Sequence, residues 1–174
     1  SRYVEVTGDV SVLDEQVPFL TGPTLGPDDH ERYDHYPQGG QGSLLEHCLR
    51  ALKRASTKGR NGLPLMGGGD WNDGMNRVGV KGQGESVWLC WFLIDTLRRF
   101  ARTLRTVNRA DEAAKLEARA EEYVAAAETS AWDGDWYLRA FYDDGSPLGT
   151  HSDLECQIDS IAQSWAVLSG AADP

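Results

Sequence analysis

Hydrophobic residues recur with a helical period along much of the chain, and the stretches that carry them alternate with polar, glycine-rich ones. Apolar positions three and four residues apart on a polar background indicate an α-helix with one face against a core. Five stretches show this pattern, and we predict helices over residues 10–20, 42–56, 85–107, 111–131 and 158–169.

Two of the predicted helices carry signals for where they begin or end. In the helix 42–56, Ser43 is a suitable N-cap, and Glu46, three residues later, completes the capping-box pattern. In the helix 10–20, Pro18 marks the end, because a proline interrupts the helical hydrogen bonds.

The predicted helix 85–107 changes character along its length. Its first part contains the run VWLCWFLI, residues 87–94, which is apolar almost all round and should be deeply buried. Eight residues cannot span a bilayer, which needs roughly 20. Arginines from Arg98 to Arg105 give the second part a basic face, for which solvent exposure is the favoured interpretation.

Two long irregular stretches, residues 21–41 and 59–84, separate these helices. Connections of that length are often functional. Residues 136–142 are aromatic enough for a short strand and are followed by the turn signal DDG, which predicts a hairpin. Because helices dominate and alternate between very apolar and amphipathic, we predict an all-α fold in two helical layers, with long loops and one short hairpin.

The charge balance excludes some classes of protein. Lys and Arg total 17 against 27 Asp and Glu, which gives a formal net charge of −10. Nucleic acids and anionic membrane surfaces need a basic face, so we expect neither as a partner. Six tryptophans and six tyrosines accompany 19 glycines, a composition common among carbohydrate-active proteins.

The cysteines indicate a reducing compartment. Cys48, Cys90 and Cys156 are odd in number and widely spaced, which fits thiols buried as small hydrophobes. No basic-then-apolar leader opens the chain, so we expect no signal peptide. The reduced thiols favour a cytoplasmic location. No group of potential ligands has the spacing of a metal site, so we expect no metal.

The most informative stretch is GGGDWNDGMN, residues 67–76. Its glycines permit backbone conformations and close approaches that other residues cannot make. Asp70 and Asp73 flank Trp71 and Asn72, so two carboxylates lie beside a flat apolar ring and an amide. Carboxylates can act as acid, base or hydroxyl ligands, and an indole face can stack on a sugar ring. The stretch is therefore a candidate carbohydrate site.

Other interpretations of this stretch compete with a sugar site. An Asx turn, in which Asp and Asn bond nearby backbone, explains the same residue types without any function. A calcium loop is excluded, because the fifth and twelfth positions counted from Asp70 are Gly74 and Lys81 rather than ligands. A phosphate-binding loop is excluded because an acid follows the glycines where Gly-Lys-Ser/Thr is required.

Several segments together resemble glycoside hydrolase family 94, the inverting glycoside phosphorylases. The segments are GGGDWNDGMNRVG at residues 67–79, GESVWL at 84–89 and IDSIAQSWAVLSG at 158–170. The similarity is closer to the C-terminal phosphorylase-like region of cyclic β-1,2-glucan synthases, which the segments YVEVTGD, VLDEQVPFL, LEHCLRA and AWDGDWYLRA also resemble. The resemblance covers residues 3–174.

The resemblance implies a fold and a reaction. The family fold is an (α/α)6 barrel of twelve helices, so residues 1–174, with about five of them, would be a fragment of the catalytic domain. Asp73 would be the general acid that protonates the glycosidic oxygen, and Trp71 would line the adjacent sugar subsite. Inorganic phosphate, a co-substrate, would attack the anomeric carbon of a β-linked glucan, β-1,2 favoured, and release α-glucose 1-phosphate. No cofactor is implied.

Four more residues are predicted to contact the sugar: Asp70, Asn72, Glu85 and Gln163. For Glu85, an acid in the first turn of a helix, favourable to the helix dipole, is the competing interpretation. Trp165, in the same QSW segment as Gln163, is predicted to be a core residue.

Two further groups of residues have a structural interpretation that is favoured over a functional one. Core packing is favoured over a place at the sugar site for Trp136, Tyr137 and Arg139. Helix capping is favoured over a role as catalytic base for Asp153, Glu155 and Asp159.

The resemblance has gaps. The Arg- and Asp-containing sugar-binding segment and the His-containing phosphate-binding segment of similar proteins are not found, and His30, His35, His47 and His151 have no comparable context. We expect a fragment that is inactive alone and needs the remainder of a parent chain, or a second copy of itself, to cover its inner helices.

Two alternatives to a phosphorylase remain. An inverting hydrolase on the same barrel would need a second carboxylate to activate water. A non-catalytic glucan-binding or structural module of a larger synthase, at the cytoplasmic face of the inner membrane, is the alternative from another class of protein.

Overall fold

The computed structural model describes residues 1–26 and 34–172 of the chain. These residues form two compact units, one over Arg2–Arg54 and the other from Ala55 onward. Part of the predicted loop 21–41, including His30, lies outside the described residues.

The first unit contains a helix, a strand pair and a second helix. Helix α1 spans Arg2–Thr7 and a 3-10 turn spans Ser11–Asp14. Strand β1, Gln16–Leu20, pairs antiparallel with strand β2, Gln38–Ser43, and helix α2, Leu44–Ala55, follows directly.

The N-cap predicted for α2 is confirmed. The hydroxyl of Ser43 accepts a 3.1 Å hydrogen bond from the backbone N–H of Glu46. The Glu46 carboxylate pairs with Arg50, one turn further along the same helix. This use of Glu46 is an i, i+4 ion pair on the helix surface.

The predicted helix 10–20 is wrong, because this stretch is a short turn followed by strand β1. Pro18 has no backbone N–H to give to a helix, but an edge strand tolerates it. The backbone hydrogen-bond partners of β1 lie on β2, which begins at Gln38. The local hydrophobic period therefore could not reveal the strand.

The second unit is built around one buried helix. Helix α3, Val87–Thr106, packs against helix α4, Ala110–Ser130, and helix α5, Ser160–Ser169. The first half of α3 is buried on nearly all sides, as its apolar run predicts, and Trp91 is fully enclosed. The corresponding predicted helices are confirmed, with boundaries shifted by one or two residues.

The arginine face of α3 is not simply solvated. Arg98 pairs with Glu121 and Arg105 pairs with Glu117, both on α4. These ion pairs link the two helices along their exposed edge. Each contributes little to stability, because at least one member of each pair is well exposed to solvent.

A three-stranded antiparallel sheet lies where the long loop, α3 and the predicted hairpin meet. Strand β4, Ala140–Phe141, pairs with β3, Glu85–Ser86, on one side and with β5, Pro147–Leu148, on the other. The predicted hairpin is confirmed, with a strand shorter than 136–142. With these sheets the described part of the chain is mostly helical but not all-α, which corrects the predicted fold class.

The three thiols differ in their surroundings. Cys90 is buried in α3, and burial together with the charge of Glu85 raises the pKa of its thiol far above the ordinary value. Cys48 is half-buried and Cys156 is exposed, so the prediction of buried thiols is wrong for Cys156.

No helix of the described residues has the length and apolar character needed to cross a membrane.

Candidate active site

The stretch GGGDWNDGMN forms the outer part of a loop whose two ends meet at a fixed base. The backbone N–H of Met66 donates a 2.7 Å hydrogen bond to the carbonyl of Gly84. Met66, Val78 and Ala140 form a small buried apolar cluster beneath the loop, against which Met75 packs. The loop is therefore irregular in backbone shape but anchored at its base.

Glycines let the backbone turn out of this base. Gly67 has φ +64° and Gly69 has φ +146°, and residues with a side chain rarely adopt these values. The prediction that these glycines serve unusual backbone conformations is confirmed at both positions.

Two side chains of the loop bond to its own backbone. Asp70 Oδ1 accepts a 3.0 Å hydrogen bond from the N–H of Asn72, and Asn72 Oδ1 accepts one of 3.0 Å from Gly74. Asn72 thereby caps a single 3-10 turn, Asp73–Met75. The Asx turn considered as an alternative to a sugar site is present, and it shapes the loop.

Trp71 and Asp73 are the side chains that this turn presents. The Trp71 side chain is largely exposed, at 61%, and its ring lies edge-on to Trp88 with 6.3 Å between ring centroids. Asp73 is exposed, and within the described ranges no group forms a hydrogen bond or ion pair with its carboxylate. An exposed ring face and an uncommitted acid are therefore available to a ligand at the tip of the loop.

Asp70 points the opposite way, into the protein. Its side chain is fully buried, and Oδ2 lies 2.7 Å from Nη2 of Arg139 and accepts a 2.8 Å hydrogen bond from the hydroxyl of Ser86. A carboxylate enclosed in this way does not reach a sugar. The geometry therefore does not support the predicted contact of Asp70 with substrate.

Arg139 also reaches the start of α5. Its Nε lies 3.1 Å from Oδ2 of Asp159, whose Oδ1 accepts a 3.0 Å hydrogen bond from the N–H of Ile161. The favoured interpretations, a buried Arg139 and a capping Asp159, are both confirmed. The link to Asp70 is not predicted from the sequence, where its only local signal is a charged residue inside the apolar segment YLRAFY.

Glu85 and Gln163, predicted to bind substrate, have their polar groups engaged inside the chain. The buried Glu85 carboxylate accepts hydrogen bonds from the backbone N–H groups of Asn61 and Leu63. Gln163 accepts from the N–H of Tyr137 and donates to the carbonyl of the same residue at 2.6 Å. Both positions favour a structural role. Glu85 lies in strand β3 rather than in the first turn of a helix.

Asp143, which the sequence does not predict to be part of the site, holds the far end of the loop. Asp143 accepts hydrogen bonds of 2.8–3.0 Å from the backbone N–H groups of Lys81, Gln83 and Gly84. Burial raises the pKa of the Asp143 carboxyl, but these hydrogen bonds outweigh it and hold the pKa below the ordinary value. The motif DDG predicts the turn at Asp143, but it carries no signal for a contact some 60 residues away in sequence.

Within the part of the chain that the structure describes, no group of three or more His, Cys, Asp and Glu side chains is placed to hold a metal ion. His151 bonds to Asp133, with 2.8 Å between Nδ1 and Oδ2, in a loop away from α3 in sequence. His47 lies in the first unit, stacked on Phe19.

Comparison with known proteins identifies the family. The model of the glycosyl hydrolase 94 superfamily, catalytic domain, matches residues 1–174. The cyclic beta-(1,2)-glucan synthase NdvB of Rhizobium meliloti (strain 1021) is 49% identical over 175 residues, which make up 99% of this chain and 6% of that protein.

Two phosphorylases are also similar along the chain. Solabiose phosphorylase of Paenibacillus borealis is 38% identical over 178 residues, which make up 99% of this chain and 21% of that protein. Cellobionic acid phosphorylase of Neurospora crassa is 34% identical over 173 residues, with 99% and 20% covered. The chain thus spans about a fifth or less of the length of these relatives. Since the catalytic-domain model matches the chain from residue 1 to residue 174, the chain belongs to the glycosyl hydrolase 94 superfamily.

Proposed function

We propose that this chain carries the general acid of an inverting glycoside phosphorylase domain, and that Asp73 is that acid. One observation carries the proposal. In a loop where Asp70 and Asn72 are committed to hydrogen bonds within the chain, the Asp73 carboxylate is exposed and unpartnered among the described residues, two positions from an exposed Trp71.

Asp73 would act on the leaving group. Its proton passes to the glycosidic oxygen as the bond from that oxygen to the anomeric carbon breaks. Trp71 offers its ring face to the sugar beside that bond. A phosphate oxygen attacks the anomeric carbon from the opposite face, which inverts the configuration and gives α-glucose 1-phosphate.

Phosphate as the attacking group removes the need for a catalytic base. Phosphate is already a nucleophile at neutral pH, whereas an inverting hydrolase needs a second carboxylate about 6.5–9.5 Å from the acid to activate water. The other acids close to the loop, Asp70, Glu85 and Asp143, accept hydrogen bonds inside the fold. These three acids are therefore engaged and are not available as the base of a hydrolase.

The substrate class follows from the relatives. One relative is named a cyclic beta-(1,2)-glucan synthase, and the two others are named solabiose phosphorylase and cellobionic acid phosphorylase. These names support phosphorolysis of a β-linked glucan, with β-1,2 linkage favoured. We further propose that α3, α4 and α5 are part of an (α/α)6 barrel completed by the remainder of a parent chain. Inorganic phosphate as co-substrate favours the cytoplasm, or the cytoplasmic face of a membrane, as its location.

The experiment uses the full-length protein with β-1,2-gluco-oligosaccharides, with and without inorganic phosphate. Glucose 1-phosphate and free glucose are assayed side by side, for the wild type, for Asp73→Asn and for Asp135→Asn. Asp135 is an exposed aspartate elsewhere in the second unit and serves as the matched control. Phosphate-dependent glucose 1-phosphate that is lost in Asp73→Asn and kept in Asp135→Asn supports the proposal.

The other outcomes identify the alternatives. Free glucose formed without phosphate would overturn phosphorolysis in favour of an inverting hydrolase. Absence of both products across several linkages would favour a non-catalytic glucan-binding or structural module.

A further inference from the structure

The second unit buries a charged side chain, that of Arg139, which is 1% exposed. It lies between two carboxylates, with Nη2 2.7 Å from Asp70 and Nε 3.1 Å from Asp159. Its Nη1 donates a 3.3 Å hydrogen bond to the hydroxyl of Ser86. Three segments distant in sequence therefore meet at one side chain.

The backbone around Arg139 is held as firmly as its side chain. Its N–H donates a 2.8 Å hydrogen bond to the carbonyl of Leu148, and its carbonyl accepts one of 3.2 Å from Val87, the first residue of α3. The guanidinium thus projects from a fixed point of the sheet. Its delocalised charge lies at ion-pair distance from two carboxylates at once, with no hydrogen bond from Nε or Nη2 to either, whereas a lysine ammonium offers a single point of charge.

A continuous set of contacts leads from Arg139 to the proposed acid. Arg139 and Ser86 hold Oδ2 of Asp70, which leaves Oδ1 to accept the N–H of Asn72. Asn72 in turn accepts the N–H of Gly74. The first of these bonds fixes Asn72 against Asp70, and the second closes the turn that contains Asp73.

Buried ion pairs are a poor route to stability, because removing two charges from water costs about as much as their attraction returns. Their best-attested benefit is to specify one arrangement over others. We propose that Arg139 is a positioning residue, which orients Asp70 so that the turn 70–74 presents Asp73 to the leaving group. This inference rests on the proposed function of Asp73.

The test separates misplacement of the acid from general damage by changing the leaving group. In the full-length protein, phosphorolysis of a β-1,2-gluco-oligosaccharide is compared with that of β-glucosyl fluoride. Fluoride departs without a proton from the enzyme, so only the oligosaccharide depends on a well-placed acid. The variants are Arg139→Gln, Arg139→Lys and Asp73→Asn.

We expect Arg139→Gln to lower kcat for the oligosaccharide by about 100-fold while KM changes little, because a displacement of the order of 1 Å costs that much. The rate with β-glucosyl fluoride should fall by less than about threefold, since no proton transfer is lost. Arg139→Lys, which keeps the charge but not the fork, should fold and show the same substrate-selective loss in weaker form.

A matched control accounts for lost stability. Leu104→Ala creates a cavity in α3 at a fully buried position far along the helix from the loop. It should lower the melting temperature and leave the ratio of the two rates unchanged. Equal losses for both substrates in Arg139→Gln and Arg139→Lys would overturn the positioning role.

The proposed function can fail separately. If Asp73→Asn keeps the oligosaccharide rate, Asp73 is not the acid, and the proposed function falls together with the inference. If Asp73→Asn loses that rate selectively and both Arg139 variants keep it, only the inference about Arg139 is overturned.

Discussion

The carboxylate of Glu85 accepts a 3.0 Å hydrogen bond from the backbone N–H of Leu63, across 22 residues of sequence. At the other end of the loop, the Asp143 carboxylate accepts hydrogen bonds from the backbone N–H groups of residues 81, 83 and 84. Asp70 shapes the middle. Three carboxylates thus hold the backbone of the loop through hydrogen bonds, whereas the Asp73 carboxylate is exposed to solvent.

Replacing Glu85 by Gln should destabilise the second unit by about 3 kcal/mol, because an NH2 group would then face N–H donors inside the protein. The Glu85 oxygens accept hydrogen bonds from the backbone N–H and the side-chain Nδ2 of Asn61 and from the backbone N–H of Leu63. The single oxygen of a glutamine amide cannot accept them all. Denaturant unfolding of the wild type and Glu85→Gln measures the difference.

Glu121→Gln is the control for this change. Glu121 is 65% exposed and pairs with Arg98 on the surface, so its loss should cost less than about 1 kcal/mol. Equal effects of the two substitutions would contradict the structural role of Glu85.

The contribution of Asp143 to stability should depend on pH. Its folded pKa lies below the ordinary value of 3.8, so the unfolded chain takes up a proton first as the pH falls. The stabilisation is complete above pH 3.8 and is lost as the pH falls through the lowered folded pKa. The free energies of unfolding of the wild type and Asp143→Asn should therefore differ most near neutral pH and converge in acid.

Asp135→Asn provides the comparison, because Asp135 is exposed and no hydrogen bond to it is found among the described residues. Its effect on the free energy of unfolding should be small throughout the titration. A gap between the wild type and Asp143→Asn that stays constant from neutral to acid pH would argue against the loop-fastening role of Asp143.

Trp71→Ala should weaken substrate binding without unfolding the protein. A ring that is 61% exposed adds little to the fold, but it offers apolar area to a sugar, and we expect KM for the oligosaccharide to rise roughly tenfold. Trp132→Ala is the matched control, since Trp132 is 48% exposed and packs edge-on to Tyr137. The role of Trp71 would be refuted if both variants raised KM alike.

The helical part of the fold follows from local pattern, and the rest depends on distant partners. The periods of α3, α4 and α5 appear in the residues themselves, and so does the turn before β5. Strand β1 is different, because its hydrogen bonds are completed by β2, beyond a long loop. A helical interpretation of residues 10–20 had nothing local to contradict it.

The candidate site divides in the same way. The motif predicts the loop as the site, and the resemblance to glycoside hydrolase family 94 implies that Asp73 is the acid and that Asp70 contacts the sugar. What argues against a sugar contact for Asp70 is its buried ion pair with Arg139, which lies 69 positions later in the sequence. Sequence spacing carries no information about a contact of that kind, so the structural roles of Asp70, Glu85 and Gln163 emerged only from the fold.

Substituting these two aspartates should separate stability from catalysis. Asp73→Asn should leave the free energy of unfolding within about 0.5 kcal/mol of the wild type, because no described group contacts its carboxylate. Its activity on the oligosaccharide should fall about 100-fold or more, since proton transfer to the leaving group is lost. Asp70→Asn, in contrast, should lower the free energy of unfolding by about 3 kcal/mol or more, because it leaves the buried Arg139 with one carboxylate instead of two. Denaturant unfolding measures the stability, and oligosaccharide phosphorolysis on the same preparations measures the activity. If Asp73→Asn were as unstable as Asp70→Asn, both acids would belong to the structural network and neither would be reserved for substrate.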